Sequence, residues 1–238
     1  MEKITSRKNE IIQSLRCYSG EDLLCCGMKM LEEALQFGAE ITSILWKEVE
    51  GPSICPREYV VPADLFDYVA PLKNSPGPLF TAKVKEREQE SLHNAIVLEN
   101  VQDPGNVGTV IRTANAFHID AVVLVGSCAS LSNPKTVRAS MGACFRQTVI
   151  HSDLNNLPSV LGSLPLYGAV LADDSVNITK VNIMNSAVAI GSEGKGLSEK
   201  LIELCSGKLI IPMNPDSESL NAAVAAAVFM WEMAEYHG

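Results

Sequence analysis

Apolar residues in the later part of the chain alternate between short continuous runs and stretches with helical spacing. The continuous runs, which predict buried strands, are AIVL, AVVLV, LYGAVLAD, VAI and KLIIP. Helical spacing between them predicts helices at 107–118, within 133–145, at 198–205 and over the Ala-rich closing segment SLNAAVAAAVFMWEMAEY. Strands that alternate with helices predict an α/β fold whose mostly parallel sheet is covered on both faces.

The earlier part of the chain has a shorter and more mixed pattern. It predicts helices at 4–15, over MKMLEEALQFG and over ADLFDYVAPL, and strands at LLCC, ITSILW, YVVP and LFTAKV. The stretch KEREQES, at 85–91, is charged and lacks apolar residues, which is typical of a linker. We therefore predict a small α/β domain at 1–84, a linker at 85–91 and a larger α/β domain at 92–238.

The composition indicates a globular chain and limits the kinds of partner that it is expected to bind. Of the 238 residues, 47% are hydrophobic and 20% are charged, and no apolar run is long enough to cross a membrane. The polar N-terminal stretch lacks an export signal, so we expect a cytoplasmic protein. Seven cysteines without paired metal spacing predict reduced thiols and no metal site. The net charge of −9 argues against nucleic-acid binding over the whole surface, although residues 1–16 carry four basic and two acidic side chains.

The stretch 98–112, LENVQDPGNVGTVIR, combines the end of a strand, a tight loop and the start of a helix. In open α/β sheets, ligands bind at such carboxyl ends of strands. Gly105 and Gly108 permit backbone conformations that are closed to other residues. Asn106 can cap the helix or offer its amide to a ligand. Arg112 lies in the first turns of the helix, beside the apolar stripe that should face the core.

Two later loops also follow predicted strands. The loop 191–197, GSEGKGL, contains three glycines but matches neither the dinucleotide-binding pattern nor the P-loop. Its central Glu193 would repel a phosphate, so we expect a polar or cationic ligand without phosphate. The loop 210–221 brings Ser219 and Asn221 directly before the closing helix. These two side chains either cap that helix or take part in binding.

Taken together, DPGNVGTVIRTA, IGSEGKGL and IPMNPDSESLNAAVA, in this order, resemble the three motifs of the SpoU-type RNA ribose 2′-O-methyltransferases. These enzymes belong to the SPOUT class and use S-adenosylmethionine. The resemblance extends from about residue 95 to the end, and NPKTVRASMG resembles the middle segment of the family. The positions that match the three motifs are Asn106 and Arg112, then Gly191, Glu193 and Gly196, then Ile211, Ser219, Leu220 and Asn221.

The resemblance implies a parallel sheet with a trefoil knot, a homodimer, and methyl transfer from S-adenosylmethionine to a ribose 2′-hydroxyl of rRNA or tRNA. The positions that it implies as cofactor contacts are Gly191, Gly196, Ile211, Ser219 and Leu220. Two other activities stay open as alternatives. One is a SPOUT methyltransferase that acts on an RNA base, and the other is a catalytically inactive, RNA-binding relative.

The resemblance also implies that Arg112 is the main catalytic residue. A guanidinium stays charged at neutral pH, so we expect it to bind the phosphate next to the target ribose rather than to act alone as a base. Asn106 and Ser219 are expected to orient Arg112 or the ribose, and Asn221 belongs to the same catalytic set. Glu193 is expected either to pair with Arg112 or to support its loop.

The chain departs from the family pattern at two places. The early domain is loosely similar to the family's substrate-binding module, but SGED stands in place of its basic stretch and Cys26 in place of a glutamate. Pro215 stands where the third motif usually has glycine. Since proline fixes φ near −65°, we expect this loop to follow a different path.

Overall fold

The computed structural model describes residues 1–71, 75–85, 91–214, 216 and 219–234. Within these ranges the chain forms two separate sheets, one in the early part and one in the later part. The predicted linker at 85–91 and Pro215 lie largely or wholly outside the described residues, and the predicted domain limits and knot stay predictions. Across the described residues, no helix has the length and apolarity needed to cross a membrane.

The early part forms a five-stranded mixed sheet in the order β1-β4-β3-β5-β2. Parallel pairs join β4 to β1 and β3, whereas β5 pairs antiparallel with β3 and β2. The strands and helices are, in chain order, β1 (Glu2–Lys3), α1 (Glu10–Arg16), β2 (Leu23–Cys26), α2 (Met28–Gln36), β3 (Glu40–Lys47), β4 (Glu58–Val61), α3 (Ala63–Val69) and β5 (Leu79–Lys83).

The later part forms a seven-stranded sheet in the order β10-β12-β9-β11-β6-β7-β8, with every neighbouring pair parallel. The prediction of a mostly parallel α/β sheet is therefore confirmed. Its elements are β6 (Ala95–Glu99), α4 (Pro104–Ala116), β7 (Ala121–Val125), α5 (Pro134–Ser140), β8 (Thr148–Ser152), α6 (Leu157–Leu161), β9 (Leu166–Ala169), β10 (Val176–Asn177), β11 (Ala187–Gly191), α7 (Glu199–Leu204), β12 (Gly207–Ile210) and α8 (Ala222–Met233).

Several predicted helices start at different residues because side-chain caps fix their first turns. The predicted helix at 4–15 begins only at Glu10, because the Asn9 side chain accepts a hydrogen bond from Ile11 N at 2.9 Å. Helix α4 begins at Pro104, three residues before the predicted start, where Asp103 accepts from Asn106 N at 2.8 Å. The closing helix begins at Ala222 instead of at the preceding serine.

The two sheets are joined through a shared apolar cluster. Side chains of α5 and the turn after it, including Val137, Cys144 and Phe145, are buried against the early sheet and α2. Beside this cluster, Arg146 forms an ion pair with Glu33. The guanidinium of Arg146 also lies over a phenylalanine ring of the early part, 5.2 Å from its centroid. These contacts hold α5, and α4 packed on it, at the junction of the two sheets.

Candidate active site

Loops from neighbouring strands surround one cavity at the carboxyl edge of the parallel sheet. Because β12, β9 and β11 are adjacent, the segments that follow them lie close together. The cavity has a volume of about 350 Å³ and is lined by Ile202 and by residues within 169–171, 190–197, 209–213 and 219–229. All of the predicted cofactor contacts line it, namely Gly191, Gly196, Ile211, Ser219 and Leu220.

The glycine-rich loop after β11 folds back tightly on its own strand. Gly196 N donates to Ser192 O at 2.8 Å, and Gly196 has a φ of +66°, which favours glycine. A Cβ atom added at Gly191 would clash with the backbone of Gly196 and Leu197. The loop therefore needs glycine at 191 for close backbone approach and at 196 for its backbone angle. In contrast, Gly194 has open space around it.

Glu193 joins the three predicted motifs through hydrogen bonds. Its Oε1 atom accepts from Asn106 Nδ2 at 2.8 Å and from Asn221 Nδ2 at 2.6 Å. The two amides also contact each other, because Asn221 Nδ2 lies 3.1 Å from the acceptor Asn106 Oδ1. Residues from the start of α4, the loop after β11 and the start of α8 thus form one polar group, which we call the amide–carboxylate cluster.

The helix caps settle two alternatives that the sequence left open. Asp103 caps α4, so the prediction that Asn106 could do so is wrong, and its side-chain amide joins the cluster instead. Asn221 does both tasks, because its Oδ1 accepts from Ala223 N at 2.9 Å while its Nδ2 reaches the cluster. Ser219 is exposed and lies at the cavity without capping α8.

Arg112 is exposed on α4 and makes no hydrogen bond or ion pair with any residue that the structure describes. Of the two expectations for Glu193, the ion pair with Arg112 is absent from the described contacts. Glu193 instead supports its loop, through the hydrogen bonds that it accepts from Asn106 and Asn221. The Arg112 guanidinium is consequently available to an anion outside the chain.

Two structural residues at the carboxyl end of β6 escaped the sequence interpretation. Glu99 is only 2% exposed at the end of β6, where it accepts from Ser198 N at 2.7 Å and from Ser198 Oγ at 2.6 Å. Asn100 has a φ of +55°, and its Oδ1 accepts from Ser127 N at 2.8 Å. An acid and an amide directly after the apolar run AIVL were the available signal, because polar side chains at the end of a buried strand are seldom left without partners.

Two thiols of the later part of the chain are poor nucleophiles. Burial, and then the neighbouring Glu99 carboxylate, raise the pKa of Cys205 to about 11. Burial also raises the pKa of Cys128. A thiolate is the reactive form of cysteine, so neither side chain is suited to covalent catalysis at neutral pH. Among the residues with described positions, no group of three or more His, Cys, Asp or Glu side chains is placed to hold a metal ion.

The sequence comparisons point to one family. The SpoU rRNA Methylase family model matches residues 93–231, which include the three loops around the cavity. The chain is also 32% identical over 216 residues to the 23S rRNA (guanosine(2553)-2'-O)-methyltransferase RlmP of Bacillus subtilis (strain 168). That match covers 87% of this chain and 86% of the relative.

Solved structures share the fold over nearly the whole chain. The AdoMet-bound rRNA methyltransferase from Sinorhizobium meliloti superposes with a TM-score of 0.84 at 22% identity, and the match covers 98% of this chain and 97% of that one. The SpoU methyltransferase AviRb from Streptomyces viridochromogenes, in complex with AdoMet, gives a TM-score of 0.81 at 19% identity, with 95% and 97% covered. These likenesses establish the fold of both sheets.

Proposed function

The chain belongs to the SpoU rRNA methylase family, and we propose that it is an S-adenosylmethionine-dependent methyltransferase that modifies a ribose 2′-hydroxyl of RNA. The observation that carries this proposal is the amide–carboxylate cluster, which joins the three motifs beside the cavity. The relative from Bacillus subtilis is named for a guanosine 2′-oxygen of 23S rRNA. Ribosomal RNA is therefore the first candidate substrate and transfer RNA the second, and such substrates make the cytoplasm the expected location.

The cavity suits S-adenosylmethionine in size and in chemistry. Its volume of about 350 Å³ lies within the usual range of small-molecule sites, and its inner wall includes the apolar side chains of Ile190 and Phe229. Glu193 at the cavity disfavours phosphate but is compatible with a positively charged sulfur. When bound, the cofactor supplies a sulfonium methyl group as the electrophile. The residues proposed to hold it are Gly191, Gly196, Ile211, Ser219 and Leu220.

We assign Arg112 the task of positioning the RNA. A ribose hydroxyl attacks poorly unless it is oriented and helped to lose its proton. A guanidinium can bind a phosphate through two parallel hydrogen bonds, which fixes the attached ribose more firmly than a lysine would. The exposed Arg112, which has no partner among the described residues, is suited to this contact. Asn106, Glu193 and Asn221 act as positioning residues that hold the loops, and Ser219 is placed to contact the ribose.

The protein is proposed to work as a homodimer. Leu220, just before α8, and Val224 and Trp231 on it are 36%, 49% and 48% exposed, which is unusual for large apolar side chains so close together. A second copy packed on α8 would cover these side chains. It would also allow the Arg112 of one protomer to serve the cavity of its partner, because Arg112 forms no hydrogen bond or ion pair with the residues whose positions are described.

Substitution of Gly191 by alanine tests the location of the cofactor. We expect Gly191→Ala to weaken S-adenosylmethionine binding by at least ~10-fold, about 1.4 kcal/mol, because the added methyl group displaces the loop backbone. Gly194→Ala is the matched control in the same loop, since open space surrounds that position. Isothermal titration calorimetry of both variants is the measurement. Equal affinity of the wild type and Gly191→Ala would place the cofactor elsewhere.

Substitution of Arg112 tests the catalytic assignment. Arg112→Ala is expected to slow methyl transfer by at least ~10²-fold through lost positioning, with cofactor affinity unchanged. Arg112→Lys should also be slow, because lysine lacks the planar pair of donors. The exposed Arg57→Ala serves as the control. Transfer of a labelled methyl group to total RNA measures the rates, and full activity of Arg112→Ala would remove this residue from the mechanism.

The modified nucleotide can be found by comparing RNA from cells with and without the gene. We expect one ribose methylation in rRNA or tRNA to disappear on deletion and to return with the wild-type gene but not with Arg112→Ala. A base methylation that disappears instead would favour the base-modifying alternative. Unchanged methylation, together with RNA binding by the purified protein, would favour the inactive relative.

A further inference from the structure

A groove with an apolar floor and a basic rim runs along the junction of the two sheets. Its first part has a volume of about 290 Å³ and lies between β2 and α5. Leu24, Met30 and Pro71 supply apolar surface, and Lys135 and Arg138 of α5 lie at its edge. Both basic residues are exposed. We call this part and its continuation, described next, the junction groove.

The groove continues along the early part of the chain past two aromatic side chains. The second part has a volume of about 320 Å³ and shares Leu24 and Pro71 with the first. Arg16 and Tyr68 line it, and the Arg16 guanidinium lies 3.8 Å from the centroid of the Tyr68 ring. A guanidinium that packs over one ring can also stack on a second planar group, such as a nucleobase.

The groove is locally positive although the protein carries a net charge of −9. The side chains of Arg16, Lys135 and Arg138 form no ion pair with the carboxylates whose positions are described. Asp22, whose charge acts on the groove-lining Tyr18, accepts a hydrogen bond from Thr42 Oγ1 at 2.8 Å. Uncompensated cations that alternate with aromatic and apolar surface match the requirements of a polyanion with exposed bases.

We propose that the junction groove holds a single-stranded segment of the RNA substrate, with unstacked bases on Arg16 and the apolar floor. This inference rests on the proposed function, since it names the form of RNA that the enzyme takes. Lys135 and Arg138 contact the phosphates of the segment. The groove supplies the basic and stacking groups that the SGED stretch lacks.

The position of α5 connects the groove with the catalytic arginine. Gly108 packs directly on α5, where an added Cβ would meet Thr136 O and the Ala139 side chain. Arg112 lies four residues, or one turn, further along α4 and therefore on the same side of that helix. Because α4 packs on α5, a strand bound along Lys135 and Arg138 lies on the helix next to the one that carries Arg112.

Equilibrium binding of defined RNA probes tests the groove. The probes are a labelled 12-nucleotide oligouridylate and an RNA duplex of equal length, followed by fluorescence anisotropy at several salt concentrations. We expect the wild type to prefer the single strand. Lys135→Ala with Arg138→Ala should weaken that binding by at least ~10-fold and reduce the salt slope by about 1.4, since each lost phosphate contact contributes about 0.7.

A control with the same loss of charge separates the groove from general electrostatics. Arg57→Ala with Lys83→Ala removes one arginine and one lysine at exposed positions outside the groove, and single-strand affinity should stay within about 2-fold. Arg16→Lys keeps the charge but loses the planar face. It should bind the single strand about 5-fold less tightly, as expected for the loss of base stacking. Wild-type affinity of Arg16→Lys would exclude stacking on this side chain.

The outcomes separate this inference from the proposed function. Cofactor affinity, measured by calorimetry, should be unchanged in all groove variants, which also confirms that they are folded. If the groove variants bind the single strand as the control does, or if the duplex is preferred, the junction groove is not the RNA site even where methyl transfer by the wild type is intact. If the wild type transfers no methyl group, the proposed function fails, whereas the binding experiment still decides the groove.

Discussion

Glu193 is exposed to solvent, yet its Oε1 atom is the common acceptor for two amides from distant parts of the chain. Each amide is used at both ends, because Asn106 Oδ1 accepts from Asn221, and Asn221 Oδ1 caps α8. A hydrogen bond to a charged group contributes more than a neutral one. The carboxylate therefore fixes the relative positions of three loops that would otherwise be joined only through the core.

Removal of this carboxylate should loosen the cavity. We expect Glu193→Ala to lower the free energy of unfolding by about 1–2 kcal/mol and to weaken cofactor binding, because two amides lose their acceptor. Glu193→Gln should retain most of the stability and most of the cofactor affinity, since its amide oxygen can still accept hydrogen bonds from the two asparagines. Urea unfolding and calorimetric titration are the measurements, with the exposed Glu203→Ala as control. An inactive Glu193→Gln that binds cofactor normally would instead indicate a chemical role.

Individual site residues could be predicted from the sequence, but not their contacts. Glu193, Asn106 and Asn221 stand out by residue type and motif, yet the hydrogen bonds among them join positions 28 to 115 residues apart. Such contacts depend on the order of strands in the sheet, which periodicity does not encode. For the same reason, the chain pattern could not decide whether Glu193 pairs with Arg112 or supports its loop.

At the scale of elements, the contact between α4 and α5 depends on the absence of a side chain at Gly108. This glycine was expected to permit an unusual backbone angle, but its φ is ordinary and it lies inside α4. Its importance comes from packing, because the Thr136 carbonyl and the Ala139 side chain occupy the space of a Cβ. The contact sets the position of α4, which carries both Asn106 and Arg112.

A methyl group at this contact should separate the two helices. Gly108→Ala is expected to lower the free energy of unfolding by about 1–3 kcal/mol through overpacking, although alanine favours an isolated helix by up to about 1 kcal/mol. Thr109→Ala, at the exposed neighbouring position of the same helix, should change stability by no more than about 0.5 kcal/mol. Urea unfolding compares the two. A more stable Gly108→Ala would show that α4 and α5 have room to adjust.

Elements with strong patterns could be predicted, whereas short and partly exposed ones could not. The fully buried strands β6 and β7 have continuous apolar sequences and were predicted from them. Strand β8, Thr148–Ser152, is an edge strand with partly exposed residues, so its sequence TVIHS lacks a clear pattern. The five-residue helix α6 is too short to show helical periodicity. Strand β8 was missed because an edge strand is only partly buried, and α6 was missed because it is short.

At the scale of the whole molecule, α8 is apolar on more sides than one protomer covers. Phe229 and Met230 are buried in the core of the parallel sheet. On another side of the helix, Val224, Val228 and Trp231 follow at intervals of four and three residues and form one stripe. Since Val224 and Trp231 are about half exposed, this stripe is the surface on which a second copy would pack.

A charge at the N-terminal end of this stripe should dissociate the dimer without unfolding the protomer. Val224 is the third residue of α8 after its Asn221 cap, where a glutamate is favourable for the helix. Val224→Glu is therefore expected to sediment as a 25.7 kDa monomer at concentrations where the wild type sediments at twice that mass. Val49→Glu, at a 72% exposed valine of the early part, is the control and should remain dimeric.

If the partner's Arg112 completes each cavity, the monomeric Val224→Glu also loses methyl transfer while its cofactor affinity falls much less. A variant that stays dimeric, or a monomer with full activity, would contradict the dimeric site.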